Sequence, residues 1–522
     1  MDPKRKKSLT QLPSSKVTPV RNKAESAFAR GTLIAAAGLM TGFAARFLFN
    51  VTVTRILGKD QAGSLFEFMA VALLLAVIGR LGLERLGLRE VAVHYRRDDP
   101  ASAKGIACWF ILIVVVCSSI LAALGYWQSH HIAQVFGMPN LQPGLTLLLW
   151  AAPGLALSVL LAQMLRGLHQ VGRASWVQSI TMYIVAISLG WSGWALGYRE
   201  TGWLAISFVI GTVAACVLGL SLLSRTKLWR SVGRDPELCG HKILPSTVLF
   251  FYWTSLSAYA LGGFDVLLVA IVGQHQQLTA DYVAALQTAL MCSMGLTAMN
   301  NITGPLVAGA FDGGRKDEIE SVTRMSARWS LVLAALAAGF LVVAGEQVLQ
   351  LFGSEFSSAV PVMLVLVAGH LINSATGPVS LTLQMTGNEK WSAIVLSSTV
   401  VVMLCAYVPL ISWYGAMGAA IVTSSTMVAR NLVLLLIVRR MVQINPLANT
   451  LGSVALWLVV CVATAFLARQ LSGQFIVYLS IAAYAIAAPI IGWRLLLHSE
   501  DRAVLDGLIK SSIRRTGASG RE

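Results

Sequence analysis

Read for its apolar and polar positions, the chain is a string of uncharged stretches of about twenty residues separated by short polar interruptions. A helix of that length crosses a hydrocarbon core about 30 Å thick. The pattern predicts fourteen such helices, at 31–54, 62–80, 104–126, 143–164, 174–196, 202–224, 246–272, 281–309, 327–345, 359–385, 391–412, 415–438, 450–469 and 474–495. In lipid every backbone polar group must be satisfied within the segment, which helices achieve. The expected fold is an all-α polytopic membrane protein.

Proline punctuates several spans: Pro153, Pro305, Pro378 and Pro409. Each removes a backbone N–H and tends to kink a helix. Pro153, Pro305 and Pro378 are therefore candidate kinks or gates. Pro305 lies in NNITGP, a polar patch expected to face protein or water.

Composition agrees with the pattern. Only 12% of the 522 residues are charged and 56% are hydrophobic, against about 25% charged in a soluble domain. The +16 net charge is placed with a direction. With fourteen spans and the N-terminus inside, 34 of the 40 Lys and Arg fall on one side and only Arg55, Lys59, Arg199 and Arg469 on the other. Basic residues gather on the cytoplasmic side, so both termini are expected there. The expected partner of this charge is the anionic inner leaflet, with no nucleic acid.

Residues 1–30, with PKRKKS, are expected to be a disordered basic tail, and no cleavable signal peptide is expected. The inter-span segments leave no room for a folded catalytic domain. No G-x-x-x-x-G-K-[ST] loop, C-x-x-C or H-E-x-x-H motif occurs. No enzyme activity, cofactor or metal is expected.

A faint repeat suggests two halves. RFLFNVTVTRILGKDQAG from Arg46 lies over LGGFDVLLVAIVGQHQQL from Leu261, setting Asn50 on Asp265 and Gly58 on Gly273. AQMLRG at Ala162 echoes LQMTGN at Leu383 at a similar offset. Duplicated halves are common in transporters. The expected organisation is a lobe over 31–224, a basic linker over 225–245, a second six-helix lobe over 246–438, two appended helices over 450–495 and a tail over 496–522.

Four ionisable groups stand out within spans. Arg46 precedes Arg55 by nine residues, so it lies about 13 Å deeper. A charge at that depth normally faces a bundle interior or wet cavity. Gly38, Gly42, Arg46, Asn50 and Thr54 share one helix face, with Phe43, Phe47 and Leu48 expected to point elsewhere. Arg46 is either a cationic cavity wall for an anion or the partner of a carboxylate. Asp265 is either that partner, a hydrogen-bond acceptor, or a coupling site that titrates. Arg430 is comparably deep from the other side. Glu67, near the outer end of its span, is expected to be solvated.

Several motifs together resemble a known family. They are R-x-x-x-N-x-x-x-x-R-I-L-G from Arg46 with the following GKDQAG, GLERLGLRE (Gly82–Glu90), the Asp265 span followed by ADYVAALQ, and YGAMGAA (Tyr414–Ala420). The chain resembles the polysaccharide flippases of the multidrug/oligosaccharidyl-lipid/polysaccharide exporter superfamily. The resemblance implies two six-helix lobes in a V around a central cavity. It implies an undecaprenyl-pyrophosphate-linked oligosaccharide moved across the bacterial cytoplasmic (inner) membrane for O-antigen, exopolysaccharide or capsule synthesis. Polysaccharide polymerase and export proteins would be further partners. Arg46 and Arg430 would engage the pyrophosphate, with Asn50 beside Arg46, and Asp265 or Glu67 would serve coupling or ion pairing. Two other readings stand beside it: a drug or organic-cation antiporter of the same superfamily, and a membrane polysaccharide polymerase.

Overall fold

The computed structural model describes residues 37–484 apart from 98, 138–143, 227–228, 230–244, 448–450, 471–478 and 480. The expected N-terminal tail, most of the linker, the last span at 474–495 and the C-terminal tail lie outside the described residues. Every described element is helical, and the chain is a multi-pass membrane protein.

The order is α1 (37–57), α2 (Lys59–Arg80), α3 (Leu83–Arg96), α4 (Pro100–Trp127), α5 (Ser129–Val135), α6 (Ala151–Gly167), α7 (Val171–Ser175), α8 (Thr181–Ala195) and α9 (Thr201–Ser224). There follow α10 (Pro245–Gly273), α11 (Gln276–Ala289), α12 (Met294–Asp312), α13 (Lys316–Gln350), α14 (Val360–Thr376), α15 (Val379–Met385), α16 (Glu389–Met441) and α17 (Leu451–Gln470).

Among the described residues nine helices are long and apolar enough to cross a membrane. Two expected spans, 391–412 and 415–438, lie together in the 53 residues of α16. A straight helix of that length would be about 80 Å long. It is not straight: Tyr407 and Thr423, about 24 Å apart along a regular helix, place their hydroxyls 2.7 Å from each other. The chain reverses at Gly415, whose φ of 56° and ψ of −134° suit glycine alone. The expected span 174–196 is also interrupted, by a π turn at Trp176–Ile180 between α7 and α8.

The prolines divide. Pro153 sits in the first turn of α6, directly after a 3-10 segment at Leu145–Trp150. The N–H groups of a first turn have no intrahelical acceptor, so this proline starts a helix instead of kinking one. At position 305 α12 continues as helix, and the break in that span lies earlier, at the 3-10 turn Leu290–Ser293. Only near Pro378 is there a full break, with Gly377 at φ 68° separating α14 from α15.

The GLERLGLRE stretch, read as an inter-span loop, forms most of the amphipathic helix α3, which buries Leu83, Leu86 and Val91. Its charged face keeps it from reading as an apolar run. The largest buried apolar cluster runs from Phe49 to Leu223 and adds Leu267, Ala270 and Val283 from α10 and α11; a second runs from Val269 to Val422. On the outside, Trp109, Leu112, Val116, Ile120 and Leu124 make an exposed apolar stripe along α4. At helical spacing this is a face for lipid.

Candidate functional site

A cavity of about 1220 Å³ lies between α1, α2, α6, α7 and α8 on one side and α10, α11 and α12 on the other. Gly38, Gly42, Arg46 and Asn50 line it, so four members of the predicted α1 stripe face one space. Thr54 does not line it. Phe43 does, contrary to expectation, whereas Phe47 packs edge-on against Phe352, 5.2 Å between ring centroids.

The cavity reaches the basic ends of its helices, at Gly38 on α1, Arg166 in the last turn of α6 and His169 just beyond it, and Asn301 on α12. Its described lining holds two arginines and one histidine but no Asp or Glu. Arg46 makes no ion pair with any carboxylate among the described residues. Arg166, which the charge distribution places between spans, is a wall residue, and its guanidinium donates to the Gln178 side-chain Oε1. Nothing in the local sequence distinguishes it from a helix-end anchor.

Asp265 is not paired with Arg46. It is 4% exposed, off the described cavity lining, and accepts hydrogen bonds from the Tyr282 hydroxyl and the Val266 N–H, both at 2.9 Å. The Thr423 hydroxyl lies 2.9 Å from that of Tyr282 and 2.7 Å from that of Tyr407. Asp265 thus anchors a buried hydroxyl chain joining α10, α11 and both arms of α16.

Glu67 is not solvated. It is wholly buried, its Oε1 accepting from the Thr279 hydroxyl at 2.7 Å and its Oε2 without a hydrogen-bond partner among the described residues. The expected position near the helix end holds, but α11 covers it.

That contact belongs to a seam at the far end from the basic helix ends that the cavity reaches. Arg55 donates from Nε to the Leu351 carbonyl and from an Nη to the Gln350 carbonyl, both at 2.6 Å. A cation at the C-terminus of α13 also meets the negative end of the helix dipole. Lys59 pairs with Asp281 at 2.9 Å and lies 5.4 Å from the Phe356 ring centroid. Gln276 donates to the Phe136 carbonyl at 3.3 Å, and Gly63 packs so close to the Gln276 backbone that no side chain would fit between them. The seam ties α1, α2 and the turn after α5 to α11, α13 and the 3-10 segment Ser354–Ala359. In the sequence Arg55 and Lys59 look like surface charges, since their partners are some 220 to 300 positions away.

Arg430 does not share the space of Arg46. It lines a separate cavity of about 300 Å³ with Asn300, Asn373, Ser380, Ser392 and Asn431. Ser293 and Thr297 line both cavities. Among the described residues no three His, Cys, Asp or Glu side chains converge as metal ligands.

No family model matches the chain. A curated relative, the probable low-salt glycan biosynthesis flippase Agl15 of Haloferax volcanii, is 25% identical over 392 residues, 73% of this chain and 77% of its own length. An inward-facing multidrug-resistance MATE-family transporter of the MOP superfamily superposes with a TM-score of 0.63 at 14% identity, over 79% of this chain and 98% of that one. The lipid II flippase MurJ in an inward closed conformation gives 0.62 at 13% identity, over 90% and 99%. The chain has the fold of these transporters, and its motifs resemble the polysaccharide flippases of the multidrug/oligosaccharidyl-lipid/polysaccharide exporter superfamily.

Proposed function

We propose that this protein is a flippase that moves undecaprenyl-pyrophosphate-linked oligosaccharide repeat units from the inner to the outer leaflet of the bacterial cytoplasmic membrane by alternating access. The observation that carries the reading is Arg46: a guanidinium without a carboxylate partner, on the wall of a large cavity whose described lining has no acidic residue. Arginine holds phosphate oxygens through forked, charge-assisted hydrogen bonds. Asn50, on the same face of α1, adds an amide, and Arg166 a second cation nearer the basic ends. The polyprenyl tail stays in lipid while the headgroup occupies the cavity. A cation exporter would want carboxylates on this wall, so the antiporter reading has less support. The likeness to a glycan flippase points the same way.

In this reading the basic ends face the cytoplasm, both termini lie there, and the conformation described is the one that loads. The seam from Arg55 to Glu67 is the barrier that must part before release. Asp265 is the group we assign to proton coupling. It acts through the Tyr282–Thr423–Tyr407 hydroxyls, because it has no direct contact with Arg46.

The test uses proteoliposomes loaded with the lipid-linked oligosaccharide and a reagent that reads only the far leaflet. Arg46→Ala is expected to abolish translocation while folded, membrane-inserted protein stays at the wild-type level. Normal translocation by that variant would overturn the assignment.

A further inference from the structure

The second cavity has its own chemistry. Its wall includes the break between α14 and α15, with Gly377 and Pro378 both lining it. Non-helical backbone at membrane depth is tolerated where it lines a cavity, and transporters place ligand sites at such discontinuities. Arg430, half-buried in α16, makes no ion pair or hydrogen bond among the described residues, so its forked donors are uncommitted. The surrounding groups are amides and hydroxyls. Asn431 donates to the Asn373 side-chain carbonyl at 2.6 Å, which leaves the Asn373 amide N–H groups and the Asn431 carbonyl for a ligand. Ser380 and Ser392 bond each other at 2.8 Å, and the Asn300 carbonyl oxygen is buried without a partner.

From this geometry we infer that the Arg430 cavity is a saccharide subsite that recognises a carboxylate on the sugar chain, separate from the pyrophosphate at Arg46. One arginine matches one carboxylate bidentately. Asn and Ser side chains both donate and accept, as sugar hydroxyls require. At about 300 Å³ the space sits at the small end of ligand pockets, suited to a single sugar unit and not to the whole headgroup. Ser293 and Thr297 border both cavities, so one lipid-linked molecule spans them with its phosphates in the larger space and an acidic sugar in the smaller. The substrate class is accordingly a repeat unit containing a uronic acid.

This rests on the flippase reading, and the experiment keeps the two apart. Purified protein in nanodiscs is titrated with three probes: a free oligosaccharide carrying one uronic acid, its carboxyl-reduced neutral counterpart, and undecaprenyl pyrophosphate without sugar. Wild type is expected to prefer the acidic over the neutral sugar by about tenfold or more, the scale of a hydrogen-bonded charge. Arg430→Gln should erase that preference and leave undecaprenyl pyrophosphate binding and the melting temperature unchanged. Arg430→Lys, with the charge but not the fork, should reduce the preference severalfold. Absence of a preference in wild type, or an undiminished one in both variants, overturns the inference. So does loss of undecaprenyl pyrophosphate binding in Arg430→Gln at an unchanged melting temperature, since the pocket would then hold the phosphates. Arg46→Gln, titrated with undecaprenyl pyrophosphate alone, tests the flippase reading without reference to the sugar arms.

Discussion

Arg46 and Glu67 are both ionisable side chains in apolar helices, and the fold treats them oppositely. Arg46 faces a space that a ligand or water fills, whereas Glu67 is closed off with a single hydroxyl for company. Removing that hydroxyl leaves a buried carboxyl with neither oxygen satisfied, which costs about 1–3 kcal/mol. Thr279→Val is therefore expected to loosen the α2–α11 contact, read as a lower melting temperature of the purified protein. Asp99, outside the apolar runs, offers a pH-dependent case. Hydrogen bonds from the Ser102 side chain and N–H, the latter at 3.2 Å, hold its carboxyl below the usual carboxylate range at the mouth of α4. A depressed folded pKa contributes stability at neutral pH that is lost as pH falls through it. Protection of the Ser102 amide, its exchange relative to the intrinsic rate at the same pH, should fall in acid, and Asp99→Ala should show that lower protection already at pH 7. At this scale the sequence revealed the odd residues but not their partners. Depth and helix face picked out Arg46, Asn50, Asp265 and Arg430. That Asp265 would take Tyr282, and that α11 would cover Glu67, depends on contacts between helices that no local periodicity encodes.

The elements were legible wherever apolar length alone decides. The spans at 62–80, 104–126, 202–224 and 246–272 match α2, α4, α9 and α10 closely. Interruptions were harder to read, because prolines were expected to mark them. Only Pro378 stands at one, beside Gly377; the others fall at a π turn, at the 3-10 segment Leu290–Ser293 and at Gly415. Pro153 is harmless where it stands, since a first turn has no bond to lose. The hairpin at Gly415 is the most demanding of these. Its φ and ψ lie where a side chain is strained, and Gly418 packs directly on the Leu410 carbonyl. Gly415→Val is expected to cut the yield of folded protein severely and lower its melting temperature, while Gly452→Ala in α17, with open space around it, should be neutral.

At the scale of the whole molecule the two faces differ in kind: the cavity reaches one along α1, α6 and α12, and the other is fastened by an ion pair, carbonyl caps and close backbone packing. The charge tally anticipated two unlike faces, because basic residues sort by side. It could not anticipate the seam, whose partners come from opposite halves of the chain. If parting that seam is a step in transport, then Lys59→Cys with Asp281→Cys, joined by a reducible cross-linker, should stop translocation and a thiol reductant should restore it. Undiminished transport through the cross-linked protein would show that the seam does not open.

The seam is complete before any cargo arrives, and this bears on how cargo is chosen. A ligand that fits both states equally shifts nothing, however tightly it binds. A headgroup that merely fills the cavity therefore leaves the far side shut and departs by the way it came. Discrimination then falls on the crossing and not on entry, and near-miss headgroups should behave as competitive inhibitors instead of slow substrates.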